Sequence, residues 1–113
     1  MIEQIRPSQL TQWVATASPT ERPVLLDVRE PLELQRASVQ PEGFERVCIP
    51  MGLIPPRLHE LDPDRPVACL CHHGGRSMQV ASFLKARGFA RVANIAGGID
   101  AWSRELDPSV PRY

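Results

Sequence analysis

A cysteine that ends an apolar run and is followed by histidines, glycines and an arginine is a pattern suited to a reactive sulfur. The segment Cys71-His72-His73-Gly74-Gly75-Arg76-Ser77 has this form. The residues before it read as a buried strand and those after Gly75 as a helix. A tight loop between two such elements can turn successive backbone N–H groups toward one point and form an anion-binding concavity. The helix N-terminus adds N–H groups without intrahelical partners and a positive partial charge. A thiol at the mouth of this cradle is expected to ionise more readily, because the thiolate is the form the cradle stabilises. Gly74 and Gly75 allow backbone angles closed to other residues. Arg76 brings a permanent charge and a fork of donors to the rim. Ser77 is placed to cap the helix or to donate to a bound sulfur. A thiolate held in this way is suited to attack the outer sulfur of a donor such as thiosulfate, to carry it as a persulfide and to yield it to cyanide or an acceptor thiolate. Such two-step covalent catalysis follows ping-pong kinetics.

The other cysteines invite plainer readings. Cys48 and Cys69 sit inside apolar runs and are expected to be inert core residues. Cys69 shares a strand face with Cys71, which leaves a minor role as a resolving thiol open, although a bridge between residues so close is strained. The cluster Cys69, Cys71, His72 and His73 fits no standard structural zinc spacing, so neither metal nor cofactor is expected. His72 and His73 are read as shaping the loop mouth, and either adds positive charge when protonated. Asp27 and Arg29 are expected to tie loops together, with attraction of an anionic donor as the lesser role for Arg29. Trp13 and Trp102 are expected in the core.

The elements that must position the loop follow from hydrophobic pattern and punctuation. Residues 7–17 read as a helix with Pro7 in its first turn and Leu10, Trp13 and Val14 at helical spacing. Val24 to Val28 reads as a strand, Pro31 to Arg36 as a short acidic helix, and residues 37–45 as a loop with Pro41 and Gly43 as breakers. Arg46 to Ile49 reads as a strand. Leu53 to Leu61 reads as helical, with Pro55 and Pro56 confined to its first turn. Pro66 to Cys71 is the clearest strand. Gly75 to Arg87 is a strong helix with Val80, Phe83 and Leu84 on one face, Lys85 and Arg87 in the last turn, and Gly88 as its left-handed stop. Arg91 to Ile95 is a further strand, and Gly97-Gly98 leads into a final helix with Ile99, Ala101 and Trp102. Alternating short apolar strands and helices predict a parallel sheet covered on both faces. Right-handed crossovers then bring the loops that follow the strands to one edge, where ligands bind.

Composition sets the outer bounds. The chain has 113 residues, 42% of them hydrophobic and 23% charged, which suits one compact domain with one core. Thirteen basic and thirteen acidic side chains balance, so no net field draws the chain to nucleic acid or an anionic membrane. No apolar run is long enough to span a bilayer. The start, Met1-Ile2-Glu3-Gln4-Ile5-Arg6, lacks a basic region followed by an apolar stretch, and three cysteines are too few and odd in number for a disulfide framework. Both point to a cytoplasmic protein with free thiols.

The loop also resembles the active loop of the rhodanese family, whose pattern C-x-x-G-x-R-[ST] is matched by Cys71, Gly74, Arg76 and Ser77. Leu25-Leu26-Asp27-Val28-Arg29 resembles the family's strand-ending Asp-Val-Arg, and Glu33 fits the acidic position after it. Ile49-Pro50 resembles its Ile-Pro, and Gly97-Gly98-Ile99-Asp100-Ala101-Trp102 its Gly-Gly-x-x-Ala-Trp. The resemblance spans about Ile5 to Glu105. One departure is Ala37-Ser38-Val39, which stands where the family usually has Gly-His-Ile. The resemblance implies one rhodanese-like domain over residues 1–113, an α/β three-layer fold with four or five parallel strands. It implies a thiosulfate sulfurtransferase with Cys71 as nucleophile and persulfide carrier. The donor and sulfur are then bound by His72, His73, Gly74, Gly75, Arg76 and Ser77, and a thiol, cyanide or a sulfur-accepting protein takes the sulfur. A protein-docked carrier with little free activity is the alternative. Cysteine phosphatases and arsenate reductases have a similar layout with one more residue between cysteine and arginine. The four residues here suit a single sulfur atom better than a tetrahedral oxyanion.

Overall fold

The computed structural model describes residues 2–17, 21–39 and 44–111. Five strands, β1 (Glu3–Ile5), β2 (Val24–Asp27), β3 (Glu45–Cys48), β4 (Val67–Leu70) and β5 (Val92–Ile95), form one sheet in the order β1-β5-β4-β2-β3. Every pairing is parallel. The α-helices are α1 (Leu10–Ala15), α2 (Pro31–Arg36), α3 (Gly75–Ala86) and α4 (Gly98–Glu105). The fold is a three-layer α/β arrangement, and β4 runs through the middle of the sheet.

The layers follow from the two-residue period of the strands. On β4, Val67 and Cys69, with Cys71 beyond the strand end, face one side. There they pack with Leu26, Val28, Val80 and Leu84, so α3 and the segment around Ile54 cover this face. Ala68 and Leu70 face the other side and pack with Leu25, Ile95, Trp13, Ile99 and Trp102 under α1 and α4. Both tryptophans are buried as expected. A central parallel strand is covered on both faces, which is why Val67–Leu70 is apolar at every position and buried throughout.

Four sequence expectations change. First, β1 has no counterpart in the hydrophobic pattern: it is three residues long, and Glu3 and Gln4 are exposed on the sheet edge. Second, residues 53–61 are not an α-helix. They form short 3-10 turns at Met51–Leu53 and Leu58–Glu60, held by bonds such as Ile54 N–H to Met51 O and Leu61 N–H to Leu58 O. Pro55 and Pro56 supply no N–H, and the bonds around them are of the i→i−3 type apart from Arg57 N–H to Leu53 O at 3.0 Å, so no α-helical ladder builds up. Third, Cys48 lies on the edge strand β3 and is half-buried, with its Sγ accepting from Arg46 Nε at 3.2 Å. Fourth, the expected first helix opens as a 3-10 turn at Pro7–Gln9 before α1 begins. In the departure at residues 37–39, Ala37 and Val39 are buried in the second core face, and Ser38 Oγ donates to Leu34 O at 2.8 Å. The expected breakers Pro41 and Gly43 lie outside the described residues.

At the end of β2, Asp27 and Arg29 are both fully buried. Arg29 Nε and Nη2 donate to the two carboxylate oxygens of Asp27 at 2.9 and 2.8 Å, and Nη1 reaches the Glu33 carbonyl on α2 at 3.4 Å. The pair ties strand to helix, which is the structural role expected of it. Arg29 is fully buried and held by Asp27 and the Glu33 carbonyl, the arrangement of a structural residue. Removing one member of a buried ion pair strands the other charge. Asp27→Ala is therefore expected to lower the unfolding free energy by about 3–5 kcal/mol, measured by urea denaturation.

Candidate active site

Cys71 follows the last residue of β4 and is 1% exposed. Residues 72–74 then turn the chain into α3, whose N-cap Gly74 has φ +107°. That angle belongs to the left-handed region, and a Cβ there would lie 3.1 Å from Gly97 N. The turn brings the Gly74 N–H onto Cys71 Sγ at 3.0 Å. This is one of the donors expected from the loop.

The carbonyls of the loop are drawn the other way by α4. Ile99 N–H donates to Cys71 O at 2.8 Å and Asp100 N–H to His72 O at 3.1 Å. These are first-turn amides of a helix, groups that have no partner within the helix. They hold two loop carbonyls against α4, away from the sulfur. The approach is close enough to require glycine: a Cβ on Gly98 would lie 2.4 Å from Cys71 O and 2.5 Å from His72 O. The Gly97-Gly98 motif therefore belongs to the site even though it lies more than twenty residues downstream.

Arg76 Nη1 and Nη2 donate to the two oxygens of Glu33 at 2.6 and 2.8 Å. Glu33 also accepts from its own helix start, the Glu30 N–H, at 3.1 Å. A planar fork meeting a carboxylate in this way fixes orientation as well as distance. Arg76 thus ties the first turn of α3 to α2, and its charge is offset by Glu33 rather than standing alone at the rim. Ser77 is fully buried. Its Oγ lies 3.3 Å from Cys71 Sγ and 2.5 Å from Asn94 Oδ1, so it faces the sulfur and not the helix cap. Gly75 is exposed and begins α3, and a Cβ added there would meet nothing within 4 Å.

His72 and His73 stack with ring centroids 3.9 Å apart at 27° and stand at the mouth. With Asp100 they form a group whose potential ligand atoms lie within 4.8 Å of one another. Among the described residues this is the group able to hold a metal ion. Asp100 already accepts from Arg104 Nε at 3.1 Å. Cys69 lies one pleat below Cys71, fully buried, and burial first, then the nearby Cys71, pushes its thiol pKa far up. A thiol held protonated in this way is a poor resolving nucleophile.

Asn94 is the site residue the sequence analysis did not single out. Its signal is a polar residue inside the otherwise apolar strand Val92–Ile95, and it is 3% exposed. Glu33 was visible only through family resemblance, since nothing local links it to residue 76.

Three comparisons bear on the chain. Residues 10–105 match the model of the rhodanese-like domain. The chain is 37% identical over 110 residues to a sulfurtransferase of Allochromatium vinosum, covering 97% of this chain and 96% of that protein. It is 45% identical over 91 residues to the rhodanese-like/PpiC domain-containing protein 12, chloroplastic, of Arabidopsis thaliana, covering 79% of this chain but only 30% of that protein's length. Among solved structures it is similar to a rhodanese-related protein of Thermoplasma volcanium, with a TM-score of 0.75, 28% identity and coverage of 98% and 99% of the two chains.

Two outcomes follow from this geometry. Gly88 and Gly98 both have positive φ, but an added Cβ meets nothing at Gly88 and meets loop carbonyls at Gly98. Gly88→Ala is expected to lose about 1–3 kcal/mol of stability from backbone strain and Gly98→Ala more, through its clash with backbone carbonyls, while only Gly98→Ala also changes the alkylation rate of Cys71, followed by peptide mass. The raised pKa of Cys69 means the unfolded chain loses this proton first. Its contribution to stability is complete below the unfolded value of about 8.5 and declines as pH rises above it. Unfolding free energy measured above that pH should fall more steeply in the wild type than in Cys69→Ala.

Proposed function

The chain belongs to the rhodanese-like domain family, and on that premise we propose that Cys71 is the nucleophile and the carrier of a transferable sulfur. The Cys71 thiolate attacks the outer sulfur of thiosulfate. Its electron pair forms the new S–S bond while the S–S bond of thiosulfate breaks and sulfite leaves with that pair. Cys71 then holds a persulfide. An acceptor thiolate or cyanide attacks the terminal sulfur, takes it as a persulfide or thiocyanate, and restores the Cys71 thiolate. The donor is thiosulfate or another sulfane-sulfur compound, and a cysteine of an accepting protein is as suitable an acceptor as a small thiol.

The observation that carries this reading is the opposed orientation of the loop's polar groups. The Gly74 N–H points at the sulfur while the Cys71 and His72 carbonyls are held by α4, so negative charge at the sulfur meets an N–H and not those two carbonyl oxygens. His72 and His73 line the approach, Gly74 and Gly75 shape the turn, and Arg76 fixes it through Glu33. The similarity to a sulfurtransferase of nearly the same length supports a transferase. In this reading the 113 residues act as one domain and work in the cytoplasm with free thiols; no helix among the described residues is long and apolar enough to cross a membrane.

Intact mass after incubation with thiosulfate tests the proposal. Wild type is expected to gain one sulfur atom that cyanide or a reducing thiol removes, and Cys71→Ser to gain none. A folded wild type that takes up no sulfur from thiosulfate removes that donor from the proposal, and an adduct that persists in Cys71→Ser removes Cys71.

A further inference from the structure

Behind Cys71 lies a chain of polar side chains that sulfur transfer does not by itself require. Asn94 Nδ2 donates to Gln4 Oε1 at 2.9 Å and to the Gly74 carbonyl at 3.3 Å. Gln4 Nε2 in turn donates to Met78 Sδ at 2.9 Å. The Gly74 carbonyl has no proton to give, so the Asn94 atom facing it must be the amide nitrogen. That fixes the amide's orientation and leaves Oδ1, an acceptor only, against Ser77 Oγ. Parallel pairing of β1 with β5 sets Gln4 directly beside Asn94 and completes the lock.

Ser77 therefore has one hydroxyl proton and two neighbours. Asn94 Oδ1, at 2.5 Å, can only accept it. Cys71 Sγ, at 3.3 Å, can donate when it is a thiol but can only accept when it is a thiolate or the inner sulfur of a persulfide. With the proton on Asn94, Ser77 presents a lone pair to the sulfur, an arrangement that suits a thiol and opposes the forms without S–H. Those forms gain the Ser77 donor only if the hydroxyl rotates away from Asn94, leaving a buried acceptor unsatisfied.

We infer that Asn94 is a positioning residue that governs the Ser77 proton and thereby sets how readily Cys71 sheds its own. The inference rests on Cys71 being the reactive thiol of the proposed transfer. Asn94 touches neither the sulfur nor the donor and acts only through Ser77. Replacing its amide by an apolar group releases the Ser77 proton to the sulfur and favours the thiolate. Replacing it by a carboxylate holds that proton more firmly and adds a negative charge behind the sulfur. The other titratable and charged groups about Cys71 are Cys69 on β4, His72 and His73 on the loop, Arg76 on α3 with Glu33 on α2, Asp100 on α4, and the Asp27–Arg29 pair at the end of β2. All are the same in every chain compared.

The test is the pH dependence of Cys71 alkylation by iodoacetamide, resolved from Cys48 and Cys69 by peptide mass, in chains whose circular dichroism matches wild type. Asn94→Leu is expected to move the profile about one pH unit lower, the equivalent of one hydrogen bond to a charged group, and Asn94→Asp to move it higher. Asn94→Ala, which introduces no bulk, carries the same expectation as Asn94→Leu should the latter not fold. In a Ser77→Ala background the Asn94→Leu shift should vanish, because the route through the hydroxyl is gone. Shifts of one sign for both substitutions, as general loosening would give, overturn the inference, as does a shift that survives in Ser77→Ala. Alkylation reads the thiolate whether or not thiosulfate is a donor. Opposed shifts in a chain that takes no sulfur from thiosulfate would refute the donor alone, and unchanged profiles in chains that load sulfur normally would refute the role of Asn94 alone.

Discussion

The two hydrogen bonds from the first turn of α4 to the carbonyls of Cys71 and His72 are the contacts on which the site depends. A peptide group is a dipole, and a loop around an anion must present its N–H ends inward. Nothing in the loop alone enforces that choice. The amides of Ile99 and Asp100 do so by holding the carbonyls on the outer side, and they need such partners because they begin a helix. The same contacts require the backbone of Gly98 to approach where no side chain fits. Two loops at the carboxyl ends of neighbouring strands, β4 and β5, are thus fitted to one another, and the sulfur site is the concave side of their junction.

The charges near the site are arranged to cancel. Asp27 with Arg29 and Glu33 with Arg76 are each bidentate pairs, joined through the Glu33 carbonyl that Arg29 reaches. Together they run from the end of β2 through α2 to the first turn of α3. The pairs contribute geometry rather than net charge, since fixed forks hold the start of α3 at a defined distance from the neighbouring strand. What remains to stabilise negative charge at Cys71 is the dipolar pair of the Gly74 N–H and the start of α3, with the Ser77 hydroxyl joining them only when it turns from Asn94. This division of labour separates positioning from stabilisation, and it explains why a reactive sulfur can sit 1% exposed beside two arginine–carboxylate pairs without pairing with either arginine.

Much of this was legible in the sequence, and for identifiable reasons. Val67–Leu70 and its loop announce themselves because a central parallel strand must be apolar at every residue and the turn after it must be glycine-rich. The four motifs of the resemblance each mark a strand end or a helix start at the same edge of the sheet. What escaped was set by long-range pairing. The strand Glu3–Ile5 has too few residues to display a period, and its Gln4 is read only once β5 is known to lie beside it. Residues 53–61 carried a helical pattern of apolar side chains, but the missing proline donors outweighed it. Cys48 was assigned to the core because its strand is apolar, whereas position at the sheet edge, which no local pattern records, leaves it half-buried. Asn94 gave a local sign as a polar residue in a buried strand, yet its meaning needed Ser77, Gly74 and Gln4 in place.

The bond between Gln4 and Asn94 joins residues 90 positions apart, and among the described residues β1 pairs with the sheet through β5. The amide that faces Ser77 is therefore locked only after both strands have been made and paired. A contact of such sequence separation carries a loop-closure cost that the contacts within the Cys71 loop do not. A chain in which β1 has not yet paired with β5 would have the Cys71 loop and its Gly74 N–H but not the amide lock behind them. The completed topology thus adds restraint rather than reactivity, because the Ser77 proton is committed to Asn94 only once the first strand has docked.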